Sequence, residues 1–182
     1  MVRRLTALLG SSSSWFDLGV FVLGLVAVGA TLADLATHHD QIHPLVLVTI
    51  PLVVVIARYP IVLDSGEGGI EVGFDSGVLM FLLCVVEPPK ALIVWAAGVL
   101  LTQLTSQKRP TVKLFNIGLG IIAGGAAAVL YDVIGAAHHD KPLELLGIAL
   151  AAAAYFAADY LLSAVSVAIE TSTPVREHLR TR

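Results

Sequence analysis

The sequence predicts an all-α membrane protein: a bundle of six transmembrane helices with a short β-hairpin between spans two and three. Three observations carry that prediction. Of 182 residues, 57% are hydrophobic and only 14% charged, and the mean hydropathy is +0.86. A soluble domain of this length cannot hide so much apolar surface in one core, whereas lipid solvates the outside of every helix. The apolar residues also fall in runs near the ~20 residues that a spanning helix needs. Finally, the cations are segregated. With the N-terminus inside, Arg3, Arg4, Arg58, Lys108, Arg109, Lys113, Arg176, Arg180 and Arg182 face the cytoplasm, and only Lys90 and Lys141 face outward. Nine of the eleven cations on one side is the bias that the positive-inside rule expects.

The elements follow in order. Residues 1–14 are basic, then briefly apolar, then serine-rich. The apolar part is too short for a signal-peptide core, so this is read as a cytoplasmic juxtamembrane segment. The membrane domain is placed at residues 15–170, with spans near 15–36, 42–57, 76–86, 91–104, 114–137 and 143–169. The second contains Pro51, and the third is about half a full span in length. The third is retained because without it Lys108, Arg109 and Lys113 would face outward. An even number of spans then leaves residues 171–182 as a cytoplasmic tail. Those residues hold no effector motif, and the expectation is either a truncated chain or one that works through a partner.

Between spans two and three, residues 60–75 read as a hairpin: a β-branched run, a glycine-rich turn, then an alternating run. Open strand edges cannot sit in lipid, so the hairpin is expected at the cytoplasmic face or against the bundle. Its acids, Asp64, Glu67, Glu71 and Asp75, would share that face with Arg58, Lys108, Arg109 and Lys113. They either form ion pairs or belong to a solvated turn. Small residues punctuate the spans, notably Gly19, Gly24 and Gly29 in the first and Gly118, Gly120, Gly124 and Gly125 in the fifth. Small residues let helix backbones approach closely in membranes. The glycine run after Asn116 lies inside an apolar helix and has the wrong spacing for a phosphate loop.

Ionisable groups inside a bilayer are costly, so each is a candidate site residue. Asp159 is the most central, beside Tyr160 and close to Tyr155. It is read either as a ligand, proton or ion contact, or as a buried carboxyl bonded to a tyrosine or a backbone carbonyl. Asp132, beside Tyr131, and Asp34 lie near outer span ends, and Asp17 near an inner one. Asn116, at the inner end of the fifth span, can cap or bridge helices. The candidate ligand-binding set is therefore Asp159, Tyr160, Tyr155, Asp132, Tyr131 and Asn116. Five of six histidines (His38, His39, His43, His138 and His139) fall in outer loops. They form a metal site if the loops meet, although their spacing matches no zinc pattern and polar loop filling is the simpler reading. Cys84 is alone and cannot form an internal disulfide; it reads as a packing residue. The net charge of −3 argues against nucleic acid. No nucleophile elbow, phosphate loop or metalloprotease helix is present, so no catalysis and no cofactor are expected.

The stretch from the second span to the fifth resembles a known family. An extended hairpin, a short span, Glu87-Pro88-Pro89, another span and Arg109-Pro110-Thr111-Val112-Lys113-Leu114-Phe115-Asn116 are similar to the N-terminal, MASE-like membrane sensor domains of bacterial cyclic di-GMP proteins. Those domains precede GGDEF, EAL or HD-GYP domains. The resemblance implies an input module in the inner membrane, partnered by the bilayer and a cytoplasmic signalling domain or protein, with a homodimer as a further option. The alternative is a small-solute binding or transport component, similar to the substrate-binding subunit of a vitamin uptake system. It would need polar residues such as Asp34, Asp132 and Tyr131 to converge on an outward-facing pocket.

Overall fold

A computed structural model describes residues 12–38, 42–59, 61–63, 70–72, 74–136 and 141–171. Its helices are α1 (Ser12–His38), α2 (Thr49–Arg58), α3 (Asp75–Val85), α4 (Pro88–Thr105), α5 (Pro110–Tyr131) and α6 (Lys141–Thr171). Proline sets several boundaries. Pro51 lies in the first turn of α2, where its missing N–H costs nothing. The turn before it is a 3-10 helix, Pro44–Val48. Pro88 and Pro110 open α4 and α5 at the first helical position, where their fixed φ is already helical. A π-helical turn, Asp132–Ala136, ends α5.

The expected fold class requires correction. Six helices form among the described residues, but only three segments are long and apolar enough to cross a membrane: Ser14–Thr37, Pro110–Ile134 and Lys141–Glu170. Helices α2 and α3 have 10 and 11 residues, which at ~1.5 Å per residue is about half the ~30 Å hydrocarbon layer. Two prolines, Lys90 and Gln103 dilute the apolar run of α4. The β-hairpin is not a component of the fold's architecture, which is all-helical. Two three-residue strands, Ile61–Leu63 and Ile70–Val72, pair antiparallel with Val62 opposite Glu71. Their principal contacts are with each other rather than with any helix. Asp64 and Glu67 of the expected acidic turn lie outside the described residues.

Successive helices alternate in direction. Near the start of α1, Asp17 accepts a hydrogen bond from Ser166, near the end of α6, at 3.1 Å, and Phe16 packs on Phe115 with ring centroids 6.3 Å apart. At the end of α2, Arg58 donates to the Thr105 carbonyl at the end of α4 (3.4 Å). Lys113 donates to the Leu104 carbonyl at 3.5 Å. Cations at the unpaired carbonyls of a helix C-terminus are favourably placed. One end of the bundle thus gathers Arg58, Lys108, Arg109 and Lys113. At the other, Lys90 pairs with Glu87 at 2.9 Å.

The core is built around Trp95, which is fully buried with Leu79, Leu82 and Val94. Its indole N–H donates to the Gly120 carbonyl at 2.9 Å, and a Cβ on Gly124 would lie 2.7 Å from the ring. Gly124 therefore leaves the slot that the indole fills, while a Cβ on Gly120 would lie 3.0 Å from the Val99 side chain. Helix α1 docks on α5 through Gly118, where a Cβ would lie 2.5 Å from the Val20 carbonyl oxygen and 2.6 Å from the Phe21 nitrogen. Close helix packing accounts for Gly24, Gly118, Gly120 and Gly124, whereas Gly19 and Gly29 have open space beside them. The outer helices leave large apolar side chains bare: Leu23 and Val26 on α1 are 62% and 63% exposed, and Leu145 on α6 is 68% exposed. Such surfaces are stable in lipid and costly in water.

Candidate functional site

Within the half of the bundle that carries the basic end, α3, α4, α5 and α6 border a half-open cavity of about 170 Å³ lined by Asp75, Thr102, Gln103, Lys108, Asn116 and Asp159, with Trp95 and Tyr155 among its walls. Helix geometry explains how α6 contributes. Asp159 and Tyr155 are four residues apart, so they share one face. Tyr160 is rotated about 100° from Asp159 and is exposed. Helix α3 contributes Asp75 at its first turn. The turn between α4 and α5 contributes Lys108, while Gln103 and Asn116 face each other across it, the Asn116 amide donating to Gln103 Oε1 at 3.3 Å. The edge of one ring meets the face of the other in the Trp95–Tyr155 pair, 6.0 Å apart at 78°.

Burial raises the Asp75 carboxyl above its ordinary range; its own backbone N–H, that of Ser76 and the charge of Lys108 act the other way. Asp159 is partly buried midway along α6. Among the described residues, no hydrogen bond or ion pair is made by its carboxylate. A carboxylate in that setting carries a desolvation cost that a partner must offset.

The structure therefore brings together Asp159, Tyr155 and Asn116 of the sequence-predicted set. Tyr131 and Asp132 lie at the opposite end, in different hollows. Tyr131 is buried beside a 420 Å³ hollow with His43, Cys84 and Glu87. Asp132 and Asp34 border a groove of about 480 Å³ between α1, α4 and α5, whose other walls include Ala27, Leu92 and Ile122. His43 caps the 3-10 helix, its Nδ1 accepting from the Leu45 N–H at 3.3 Å. His39, His138 and His139 lie outside the described residues, as does the His38 side chain. Among the described residues, no group of three or more His, Cys, Asp or Glu side chains is arranged to hold a metal.

Sequence reasoning missed Asp75, Lys108, Gln103, Thr102 and Trp95. The sequence reading places Asp75 in the hairpin and takes Lys108 as a topology marker and an ion-pair candidate for the hairpin acids. One signal was available: Gln103 and Asn116 are amide residues on either side of the α4–α5 turn, and a turn brings its flanks together.

Comparison with known proteins identifies a family. The family model for MASE9 matches residues 67–182. The chain belongs to this family of membrane-associated sensor domains, found in cyclic di-GMP signalling proteins. Searches of curated proteins and of solved structures each returned no match. The matched region contains α3 to α6, and so every residue named above in the polar cavity.

Proposed function

We propose that this chain is a sensory input module of the bacterial inner membrane that tunes a cytoplasmic cyclic di-GMP output, with the polar cavity as its input site. The observation that carries this reading is the cavity itself: charged and amide side chains from four helices converge inside a bundle that is otherwise apolar, all within the region matched to the family. The basic end is assigned to the cytoplasm, because Arg58, Lys108, Arg109 and Lys113 gather there. Output is assigned to the same end, where α6 terminates. The partner is a cytoplasmic signalling domain or protein, and the chain acts on it without catalysing a reaction itself.

A fluorescent cyclic di-GMP reporter in cells tests this reading. Replacing Asp159 with Asn is expected to shift the cellular signal at least twofold relative to Asp132→Asn. Equal signals in parent, Asp159→Asn and a chain deletion would overturn it. Orientation is checked separately by single cysteines at 108 and 90, where only the second is expected to react with an impermeant maleimide outside the cell.

The groove bordered by Asp34 and Asp132 supports a second reading, a small-solute binding component. It is spacious and mostly apolar, as small-molecule sites are. Mass spectrometry of the purified protein discriminates between the two: a stoichiometric vitamin-like molecule, released by Leu92→Trp in the groove wall, would favour solute binding.

A further inference from the structure

The lining of the polar cavity is net negative. Asp75 and Asp159 supply two carboxylates and Lys108 one ammonium. Several donors are already committed inside the fold. The Trp95 N–H is held by the Gly120 carbonyl, the Thr102 hydroxyl by the Gly98 carbonyl at 2.9 Å, and one Asn116 N–H by Gln103. Acceptors remain on the lining: the Asp159 carboxylate, which has no hydrogen-bond or ion-pair partner among the described residues, the Asn116 carbonyl, and the lone pairs of the Asp75 carboxylate not taken by its own backbone N–H and that of Ser76; the Lys108 ammonium, the Gln103 amide and the Tyr155 hydroxyl are the donors beside them. Charge balance therefore calls for one positive charge. A divalent metal fits poorly: it would overcompensate a lining of net charge −1 beside Lys108, calcium or magnesium would need about six oxygen ligands, and among the described residues no three His, Cys, Asp or Glu side chains are grouped to hold a metal. The aromatic walls, Trp95 and Tyr155, suit a cation with a weakly held hydration shell. A volume of about 170 Å³ equals that of about five or six liquid waters, room for a cation of few heavy atoms.

We infer that the cavity binds a small monovalent cation bearing N–H donors, ammonium or a short primary alkylammonium, held by Asp159 and Asp75 against the Trp95–Tyr155 wall. This assignment rests on the reading of the cavity as the input site and names its ligand class. The N–H groups satisfy the spare acceptors, the single charge balances the lining, and the aromatic rings cover the apolar side of the ligand. Lys108, at the same lining, sets an upper limit of one charge.

The test uses the full chain in lipid nanodiscs with Trp15→Phe, which leaves Trp95 as the only tryptophan of the two. Its emission is titrated with ammonium chloride and methylammonium chloride at constant ionic strength. A saturable change is expected from at least one of them, with half-saturation raised tenfold or more by Asp159→Asn and unchanged by Asp132→Asn. Tetramethylammonium, which has the charge but no N–H, is expected to give no saturable change. The proposal is overturned by the absence of saturation with both amines, by an equal response to sodium or tetramethylammonium, or by a parent-like titration of Asp159→Asn. Where Asp159→Asn does not purify as a folded protein, Asp75→Asn replaces it under the same criteria. The reporter assay keeps the two proposals apart. A reporter that responds to Asp159→Asn without amine binding retains the sensory reading and removes the ligand assignment; amine binding with a silent reporter does the reverse.

Discussion

Two pairs of aspartates, one in each half of the bundle, live in different surroundings. At the basic end, Asp75 and Asp159 are partly buried at a cavity of about 170 Å³ with amide, hydroxyl and lysine neighbours. At the opposite end, Asp34 and Asp132 are exposed at the border of a groove of about 480 Å³ whose walls are mostly apolar. The same side chain is costly in the first place and ordinary in the second. What differs is how far the carboxylates are covered: side chains from four helices border the polar cavity, and from three, α1, α4 and α5, the groove. A carboxylate becomes a candidate for ligand binding as it is withdrawn from water, since water satisfies an exposed one.

The comparison can be broken most severely at Trp95, which is both a wall of the cavity and the centre of the core. Trp95→Ala is expected to cost ~3–5 kcal/mol, read by thermal or denaturant unfolding in detergent. A loss of under about 1 kcal/mol would show that the cavity wall and the core are separate. Gly118→Val acts on the other side, at the α1–α5 seam. A Cβ there meets backbone atoms of Val20 and Phe21, which cannot turn aside, so a loss of ~1–3 kcal/mol is expected. The groove should open while amine titration at the cavity is retained; simultaneous loss of both would show that the two ends are coupled.

Asp159→Asn should have a smaller effect of opposite sign. Without ligand, replacing a partly buried, unpaired carboxylate by a neutral amide is expected to stabilise the protein by ~1 kcal/mol. A fall in melting temperature would mean that the carboxylate holds a partner. The smallest effect is expected from Asp132→Asn, within ~0.5 kcal/mol of the parent because the side chain is exposed. A larger change would erase the distinction between the two ends.

Much of the fold could be read from residue patterns. Apolar runs overlap all six helices of the described residues, although α2 begins at Thr49, seven residues after the expected start of its span, and Pro88 and Pro110 open their helices three and four residues before the expected ones. The crossing count and the role of the hairpin could not be read this way. Charge segregation reports which end a loop lies at, without reporting whether the helix between two loops is long enough to traverse the bilayer. Helices α2 and α3 satisfy the first and fail the second. In the candidate site, Asp159 was conspicuous because a carboxylate in an apolar run is rare, and Tyr155 and Tyr160 were grouped with it by closeness in sequence. The cavity lining includes Tyr155 and not Tyr160, since neighbouring residues on a helix point in different directions. Tyr131 and Asp132 were grouped with them by residue type, although α5 carries them to the far end.

The sequence by itself determined that this protein belongs in a membrane, that its framework is helical, and that its cations collect at one end. Those properties follow from local composition, because transfer to lipid and the positive-inside bias act on each segment separately. Only the tertiary structure decided which polar residues meet. Asp75, Lys108 and Asp159 are separated by 33 and 51 positions; they share one cavity because the glycines of α5 let the helices approach and the helices alternate in direction. Tertiary packing also decided that α2 and α3, though apolar, each bury one face in the core that holds Trp95 and leave the other face bare. A short helix cannot match the bilayer's thickness, whereas burial of its apolar face against longer neighbours needs only two or three turns.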